Sequence, residues 1–412
     1  MKAYFVSLGC PKNLTDTEVL MGKLAASGYE ITTNPAEADT IVVNTCAFLK
    51  TARDEALKTI KEMANWKKKG KCKQLLIAGC LPKYLDHLSP SGRGAWGEGV
   101  DGTIDSIGLF NYCTPRIKAT SPWYAYVKIA EGCDNRCSYC LIPSIRGKLQ
   151  VREVDDIISE VKGLAARGVK EMIFIAQDTT AHPNLPEILE RSAKIKGIAW
   201  IRLMYAHPTH LSDKVLEVMA NEDKIVKYLD LPIQHSSDKI LRSMNRPHFS
   251  GERLENLIHN IRRKIPQIAL RTTVIVGFPG ENEADFRELL DFIGRVRFER
   301  LGAFAYQKEK GTPASKLREQ VSGPIKVKRV KQLMRLGARL SRELGEKMIG
   351  QTLAVLIEGS QAGGYYVGRS YMDAPGIDGN VLVRSNKSLS PGEIIKARIT
   401  KARTYDLIGS LT

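Results

Sequence analysis

Cys133, Cys137 and Cys140 fall in the run CDNRCSYC with CxxxCxxC spacing. Three thiolates on one loop can hold three irons of a cubane 4Fe-4S cluster and leave the fourth without a protein ligand. An iron left open in this way is free to chelate a small molecule and pass it an electron. A zinc site or an incomplete ferredoxin cluster is the alternative, but zinc usually takes four closed ligands and no histidine in this loop completes the set.

A second set is dispersed: Cys10 in SLGCPKN, Cys46 in VNTCAF and Cys80 in AGCLPKY. A single cysteine of this kind is most often a small buried hydrophobe. These three, however, each follow directly on an apolar run that reads as a strand, so they share one topological position. Three ligands again leave an iron open, and on a second cluster it could hold an extra sulfur or persulfide, which suits sulfur insertion. Cys72 and Cys113 lie outside both sets and read as free thiols. Lys71 and Lys73 beside Cys72 could lower its pKa.

The elements that must position these groups read as α/β in two units. From Met1 to about Thr120, the strands AYFVSL, TIVVNT and QLLIAG alternate with helices near Asp16 to Ser27 and Ala52 to Lys68. That pattern predicts a doubly wound parallel sheet whose ligand crevice lies at the strand ends, where the cysteines sit. The Gly-, Ser- and Pro-rich stretch from Pro90 to Pro122 breaks the pattern. Six further strands follow, AYVKI, EMIFIA, WIRLMY, KYLDLPI, LRTTVIVGF and RLGAFAY, separated by helices such as Asp155 to Arg167 and Asp285 to Arg295. They fit an incomplete TIM-like (β/α)6 barrel with its chemistry at the strand C-termini. By that logic the strand-end groups Gln177, Asp178, Arg202 and Gln234 face the mouth, although hydrogen bonding at the rim explains any one of them equally well. A basic helix near Pro324 to Met348 leads into five short alternating strands, QTLAVLIEG, GYYVGRS, NVLVRS, EIIKARITKA and TYDLIGSL, which predict a small antiparallel β-barrel. The expected domains are 1–118, 119–348 and 349–412.

Composition bounds the class. The 412 residues are 43% hydrophobic and 26% charged, ordinary for a globular protein of two or three domains. The N-terminus lacks a signal-peptide pattern and no apolar run is long enough to span a bilayer, so a cytoplasmic protein without membrane contact is expected. Eight cysteines scattered over this length look unlike a secreted disulfide framework. The net charge of +17 favours a polyanionic partner. Much of that charge lies at Lys67 to Lys73 and at Lys326 to Arg342, where a solvated helix face is an equal explanation. The tail is different: seven Lys or Arg (Arg369, Arg384, Lys387, Lys396, Arg398, Lys401, Arg403) face five acids (Glu358, Asp373, Asp378, Glu393, Asp406), a net of +2. A domain that grips RNA should be strongly basic, so this one suits a basic protein partner better.

CDNRCSYC resembles the CxxxCxφC signature of the radical S-adenosylmethionine (SAM) superfamily, φ being aromatic. The resemblance implies that Tyr139 covers the SAM adenine and that Gly277, Phe278, Pro279, Gly280 and Glu281, in the turn VGFPGE, approach the adenosine. Gln177, Arg202 and Gln234 would complete the SAM pocket. The whole chain is similar to the methylthiotransferase family, in which an N-terminal domain with three cluster cysteines, a radical SAM barrel and a C-terminal TRAM domain follow in this order. The resemblance implies two 4Fe-4S clusters and two SAM molecules, one methylating the sulfur on the auxiliary cluster and one generating the radical that abstracts hydrogen from carbon. Within the family, GCPKN, NTCAF, AQDTT, RLMYAHP, PIQHSSDKIL and YMDAPGIDG resemble the branch that modifies the β-carbon of an aspartate in small-subunit ribosomal protein twelve. The branch that modifies a tRNA adenosine beside the anticodon typically reads GCQMN. The implied partners are that ribosomal protein or the small subunit, a flavodoxin- or ferredoxin-like electron donor and a sulfur donor. Methylthiolation of tRNA is the alternative substrate, and a non-catalytic iron–sulfur or zinc RNA-binding protein the alternative class.

Overall fold

In the computed structural model, residues 1–88, 99–105, 107–246 and 250–412 are described. Part of the glycine-rich stretch from Ser89 to Thr120, where the first domain boundary was expected, lies outside the described residues. Apolar hexamers bounded by turns build the first sheet: β1 (Lys2–Ser7), β2 (Glu30–Ile31), β3 (Thr40–Thr45), β4 (Gln74–Gly79) and β5 (Gly102–Thr103). Their order is β2-β1-β3-β4-β5, and every pairing is parallel. β3 is buried at every position, as a central parallel strand covered on both faces requires. The connecting helices are α1 (Pro11–Ala26), α2 (Lys50–Ala64), α3 (Trp66–Lys69) and α4 (Cys80–Leu88). The single helix expected from Ala52 to Lys68 is thus divided at Asn65. Strand order reverses between β1 and β3, which opens a crevice at their C-terminal ends.

The second sheet has six parallel strands adjacent in chain order. They are β6 (Tyr124–Lys128), then, after the short antiparallel pair β7 (Ala130–Glu131) and β8 (Gln150–Val151), β9 (Glu171–Ile175), β10 (Trp200–Leu203), β11 (Ile225–Asp230), β12 (Ala269–Val276) and β13 (Arg300–Ala305). Helices α5 (Ile142–Arg146), α6 (Val154–Ala166), α7 (Leu185–Ala193), α8 (Asp213–Asn221), α9 (Asp238–Ser243), α10 (Gly251–Lys264) and α11 (Glu283–Val296) intervene, and α12 (Gly323–Glu346) closes the unit. This is the incomplete barrel that the apolar periodicity predicts. Its main core joins strand residues Val127, Phe174, Ile201, Leu229 and Val274 to Ile157, Leu189, Leu216, Ile258 and Phe292 of the helices. Each such side chain contributes roughly 1.5–3 kcal/mol when fully buried.

The C-terminal strands β14 (Thr352–Gln361), β15 (Tyr365–Arg369), β16 (Val381–Arg384), β17 (Ile394–Ala402) and β18 (Leu407–Leu411) close into a barrel in the order β14-β15-β16-β18-β17. All pairings are antiparallel except β16 with β18. A ring of five strands cannot alternate direction all the way round, so one parallel pair is unavoidable.

This small barrel seats against the N-terminal ends of the central strands through buried ion pairs. Glu171, at the start of β9, accepts from Arg202 Nε at 2.7 Å and from Arg369 Nη2 of β15 at 2.7 Å. Arg300, at the start of β13, pairs with Asp373 at 2.5 Å. The Arg202 expectation is corrected here. Its guanidinium runs toward Glu171 and the Tyr371 carbonyl, packed on the Tyr228 ring, and serves the seat of the third domain rather than the mouth of the barrel. Among the described residues no helix is long and apolar enough to cross a membrane.

Candidate functional site

All six expected cluster cysteines line one cavity of about 340 Å³ between the first sheet and the mouth of the barrel. Three of the six cysteines follow a left-handed glycine at a strand end. Gly9 (φ +90°) precedes Cys10, the residue that caps α1; Gly79 (φ +90°) precedes Cys80, the first residue of α4; and Gly132 (φ +78°) precedes Cys133. An added Cβ shows why only glycine fits. At Gly9 it would stand 2.6 Å from Cys46 Cβ, at Gly79 2.2 Å from Asn44 Oδ1, and at Gly132 2.1 Å from the Lys148 carbonyl oxygen. The left-handed backbone and this crowding both exclude a side chain.

Asn13 gathers the three dispersed loops. Its Nδ2 donates to the carbonyls of Leu8 at 3.1 Å and Thr45 at 2.8 Å, and its Oδ1 faces the Cys80 thiol at 3.7 Å. Asn44 secures Asn13 in turn, donating to its carbonyl at 2.7 Å. The other three cysteines hang from the β7–β8 pair, with Cys133 N donating to the Gly147 carbonyl and Cys140 N to the Cys137 carbonyl. Burial pushes the Cys80 thiol up to about 11 and the Cys140 thiol up to about 12, and it raises Cys46 and Cys133 as well. Arg146 opposes the shift at Cys80. Loading metal on these sulfurs must therefore release protons.

Two buried arginines reach the sulfurs. Arg146, from α5 of the barrel unit, crosses to the first sheet, where Nε and Nη2 donate to Cys80 Sγ at 3.3 and 3.2 Å while Nη1 pairs with Asp16 at 2.8 Å and Glu131 at 3.3 Å. Lys128 bridges the same carboxylates at 2.5 and 2.7 Å. Arg246 donates to the Pro232 carbonyl at 3.2 Å and comes within 3.8 Å of Cys137 Sγ and 3.5 Å of the Tyr139 hydroxyl.

Of the groups expected around SAM, Tyr139, Gln177 and Gln234 line this cavity. Gln177 donates to Glu131 at 2.7 Å. Gln234 holds φ +69°, a conformation fixed by its backbone pairing with Thr273 and Ile275; such strained non-glycine residues cluster at functional sites. Asp178 turns to Asn135 and His210, both at 2.7 Å. The turn Gly277–Glu281 stands one layer behind the cavity. Phe278 packs edge-on under Tyr139, with ring centroids 6.5 Å apart, and Glu281 pairs with Arg329 at 2.8 Å, while none of the five residues from Gly277 through Pro279 and Gly280 to Glu281 lines the cavity. Cys72 is buried and its thiol is raised, not lowered, because burial outweighs the nearby lysines. Cys113 is exposed.

Lys12, Asn13, Arg146, Tyr205 and Arg246 were not singled out from the sequence. Lys12 and Asn13 stand inside GCPKN, so their proximity to Cys10 was legible while their roles were not. Among the described residues, the histidine, cysteine or carboxylate ligand atoms that close within 4.8 Å of one another are those of Asp178, His207 and His210. Neither cysteine set is drawn that tight, whereas one tetrahedral zinc would bring its sulfurs to about 3.8 Å of each other. The wider spacing and the missing fourth ligand fit a cubane with one open iron.

Comparison with known proteins agrees with this layout. The radical SAM superfamily matches residues 127–293, an uncharacterized protein family, UPF0004, matches residues 2–89, and the TRAM domain matches residues 349–411. The ribosomal protein uS12 methylthiotransferase RimO of Lachnoclostridium phytofermentans is 42% identical over 439 residues, covering 100% of both chains. That of Pelotomaculum thermopropionicum is 43% identical over 99% of each chain, and that of Geobacter sulfurreducens 41% identical over 100% of this chain and 98% of its own. Among solved structures, the radical SAM methyltransferase TsrM from Kitasatospora setae superposes with a TM-score of 0.55 at 12% identity over 89% of this chain and 80% of its own, a likeness of fold.

Proposed function

This chain belongs to the ribosomal protein uS12 methylthiotransferase RimO family, and on that premise we propose that it inserts a methylthio group at the β-carbon of an aspartate in uS12. It is a radical SAM enzyme that works with two 4Fe-4S clusters and SAM. The observation that carries the reading is the convergence of six cysteines, from two sets of different origin, on one cavity between two domains.

When bound, the clusters and SAM supply electron transfer into the sulfonium, a deoxyadenosyl radical and a sulfur carrier. The residues of the chain hold and order these parts. Cys133, Cys137 and Cys140 hold one cluster and Cys10, Cys46 and Cys80 the other. Asn13 and Arg146 fix the second set against the barrel, so the distance between the sites is set by buried polar contacts rather than by a hinge. Tyr139, Gln177 and Gln234 form the wall facing SAM. The three domains divide at 1–118, 119–348 and 349–412, and the weakly charged third domain favours a protein partner over an RNA backbone. A flavodoxin- or ferredoxin-like donor, a separate sulfur donor and a cytoplasmic location complete the reading.

Anaerobic reconstitution tests it. The full chain should bind about eight irons, form 5′-deoxyadenosine with a reductant, and add a methylthio mass to the aspartate peptide of uS12. Replacing either cysteine set by alanine should halve the iron. Methylthiolation of tRNA with an unchanged uS12 would sink the proposal.

A further inference from the structure

The cavity holds one charge that the cluster assignment does not use. Lys12, on the first turn of α1, is only 9% exposed, and its ammonium lies 3.2 Å above the centroid of the Tyr205 ring. No hydrogen-bond acceptor or ion pair meets it among the described residues. The nearest carboxylates are already engaged: Asp230 by Arg271 at 2.9 Å, and Glu131 by Lys128 at 2.7 Å and Arg146 at 3.3 Å. The other cations of the lining are tied as well, Arg146 to Asp16 and Cys80, Arg246 to the Pro232 carbonyl. No aspartate or glutamate lines the cavity.

The strongest opposite charge near Lys12 is that of Cys10, whose sulfur the cluster takes; a buried ammonium otherwise held by the face of an aromatic ring is costly unless a further anion joins it. A cation over a tyrosine ring, by contrast, is held in direction while its donors stay free. Tyr205 is itself fixed, with φ +60° and its N–H on Asp230 at 3.1 Å. The arrangement leaves a cavity-lining ammonium whose donors are open to an anion.

Resting on the aspartate methylthiolation proposed above, we infer that Lys12 binds the side-chain carboxylate of the substrate aspartate and so selects an acidic side chain over its neutral amide. The carboxylate is bonded directly to the β-carbon that reacts. A cation that fixes the one therefore also fixes the other, and orients the β C–H without taking part in bond making.

Binding of a labelled peptide carrying the uS12 aspartate to the full, cluster-loaded chain tests this, with the aspartate present or replaced by asparagine. The native chain should prefer the aspartate peptide by at least about tenfold, since truncating one partner of a desolvated charge pair is expensive. Lys12→Met should abolish the preference, and Lys12→Arg should keep most of it. Lys12→Gln carries the same comparison if Lys12→Met yields no folded chain. A Lys12→Met chain that still prefers aspartate would overturn the inference. So would one whose affinity for SAM falls instead, because the carboxylate met by Lys12 would then be that of the methionine moiety. A native chain that never methylthiolates the peptide would mark failure of the parent reading, which takes this one with it; a native chain that does so while Lys12→Met keeps its preference would remove Lys12 alone.

Discussion

Replacing Arg146 by Met should both loosen the junction between the first two domains and disturb the second cysteine set. The guanidinium is buried between Asp16 and Glu131, with side-chain exposures of 3%, 3% and 5% respectively. Its removal leaves two carboxylates to share one cation, Lys128, which is fully buried. Breaking a buried pair in this way costs about 3–5 kcal/mol, a large part of the roughly 5–15 kcal/mol that holds a typical domain. Urea unfolding of the metal-free chain, followed by far-UV circular dichroism, reads the loss directly. Adding Asp16→Asn to Arg146→Met removes the surplus charge, so the double variant should be more stable than the sum of the single changes by about 1 kcal/mol or more. The same variant removes two N–H donors from Cys80 Sγ; in the reconstituted protein, potentiometry should find the second cluster harder to reduce. A loss under about 1 kcal/mol, as for an exposed pair, together with strict additivity, would refute the account of Arg146 as the bridge between the domains.

Gly9→Ala forces a Cβ within 2.6 Å of Cys46 Cβ at φ +90°, so it should lower iron content by about half while a spectrum of the Cys133–Cys140 cluster persists. Glu171→Gln leaves Arg202 and Arg369 without their shared carboxylate, and should cost about 3–5 kcal/mol; the emission of Trp123 and Trp200, close to that seat, reports the release. His235 is buried, accepts from Ser237 N at 2.9 Å, and is pushed down to about 3 by burial. Below the unfolded value of about 6.5 the unfolded chain takes up a proton that the fold refuses, so stability falls with falling pH, by about 2 kcal/mol between pH 7 and pH 5. His235→Asn should remove that part of the slope, as unfolding midpoints across the pH range will show.

The barrel was legible because each of its strands is an apolar run between helical patterns, and both cysteine sets because ligand type and strand-end position coincide. Burial of the polar strand-end groups was not legible in the same way. Arg202 lies on a strand whose residues alternate between faces, and nothing in WIRLMY tells toward which end of the barrel its long side chain runs. Glu171 and Arg369, which decide this, are 198 positions apart. The VGFPGE turn was expected beside the adenosine, but Tyr139 lines the cavity and the turn's own Phe278 packs against the edge of that ring. Lys12 and Arg146 belong to the same class. One stands two positions beyond Cys10 and the other six positions beyond Cys140, yet each takes its role from a residue of a different domain.

The two cysteine sets also differ in what must exist before either can grip iron. Cys133, Cys137 and Cys140 share one short loop, and closing so few residues is cheap even in a chain that has not folded. Cys10, Cys46 and Cys80 converge only after β1, β3 and β4 have paired and Asn13 has drawn their ends together. The first set therefore asks for one closed loop, and the second for a completed N-terminal sheet.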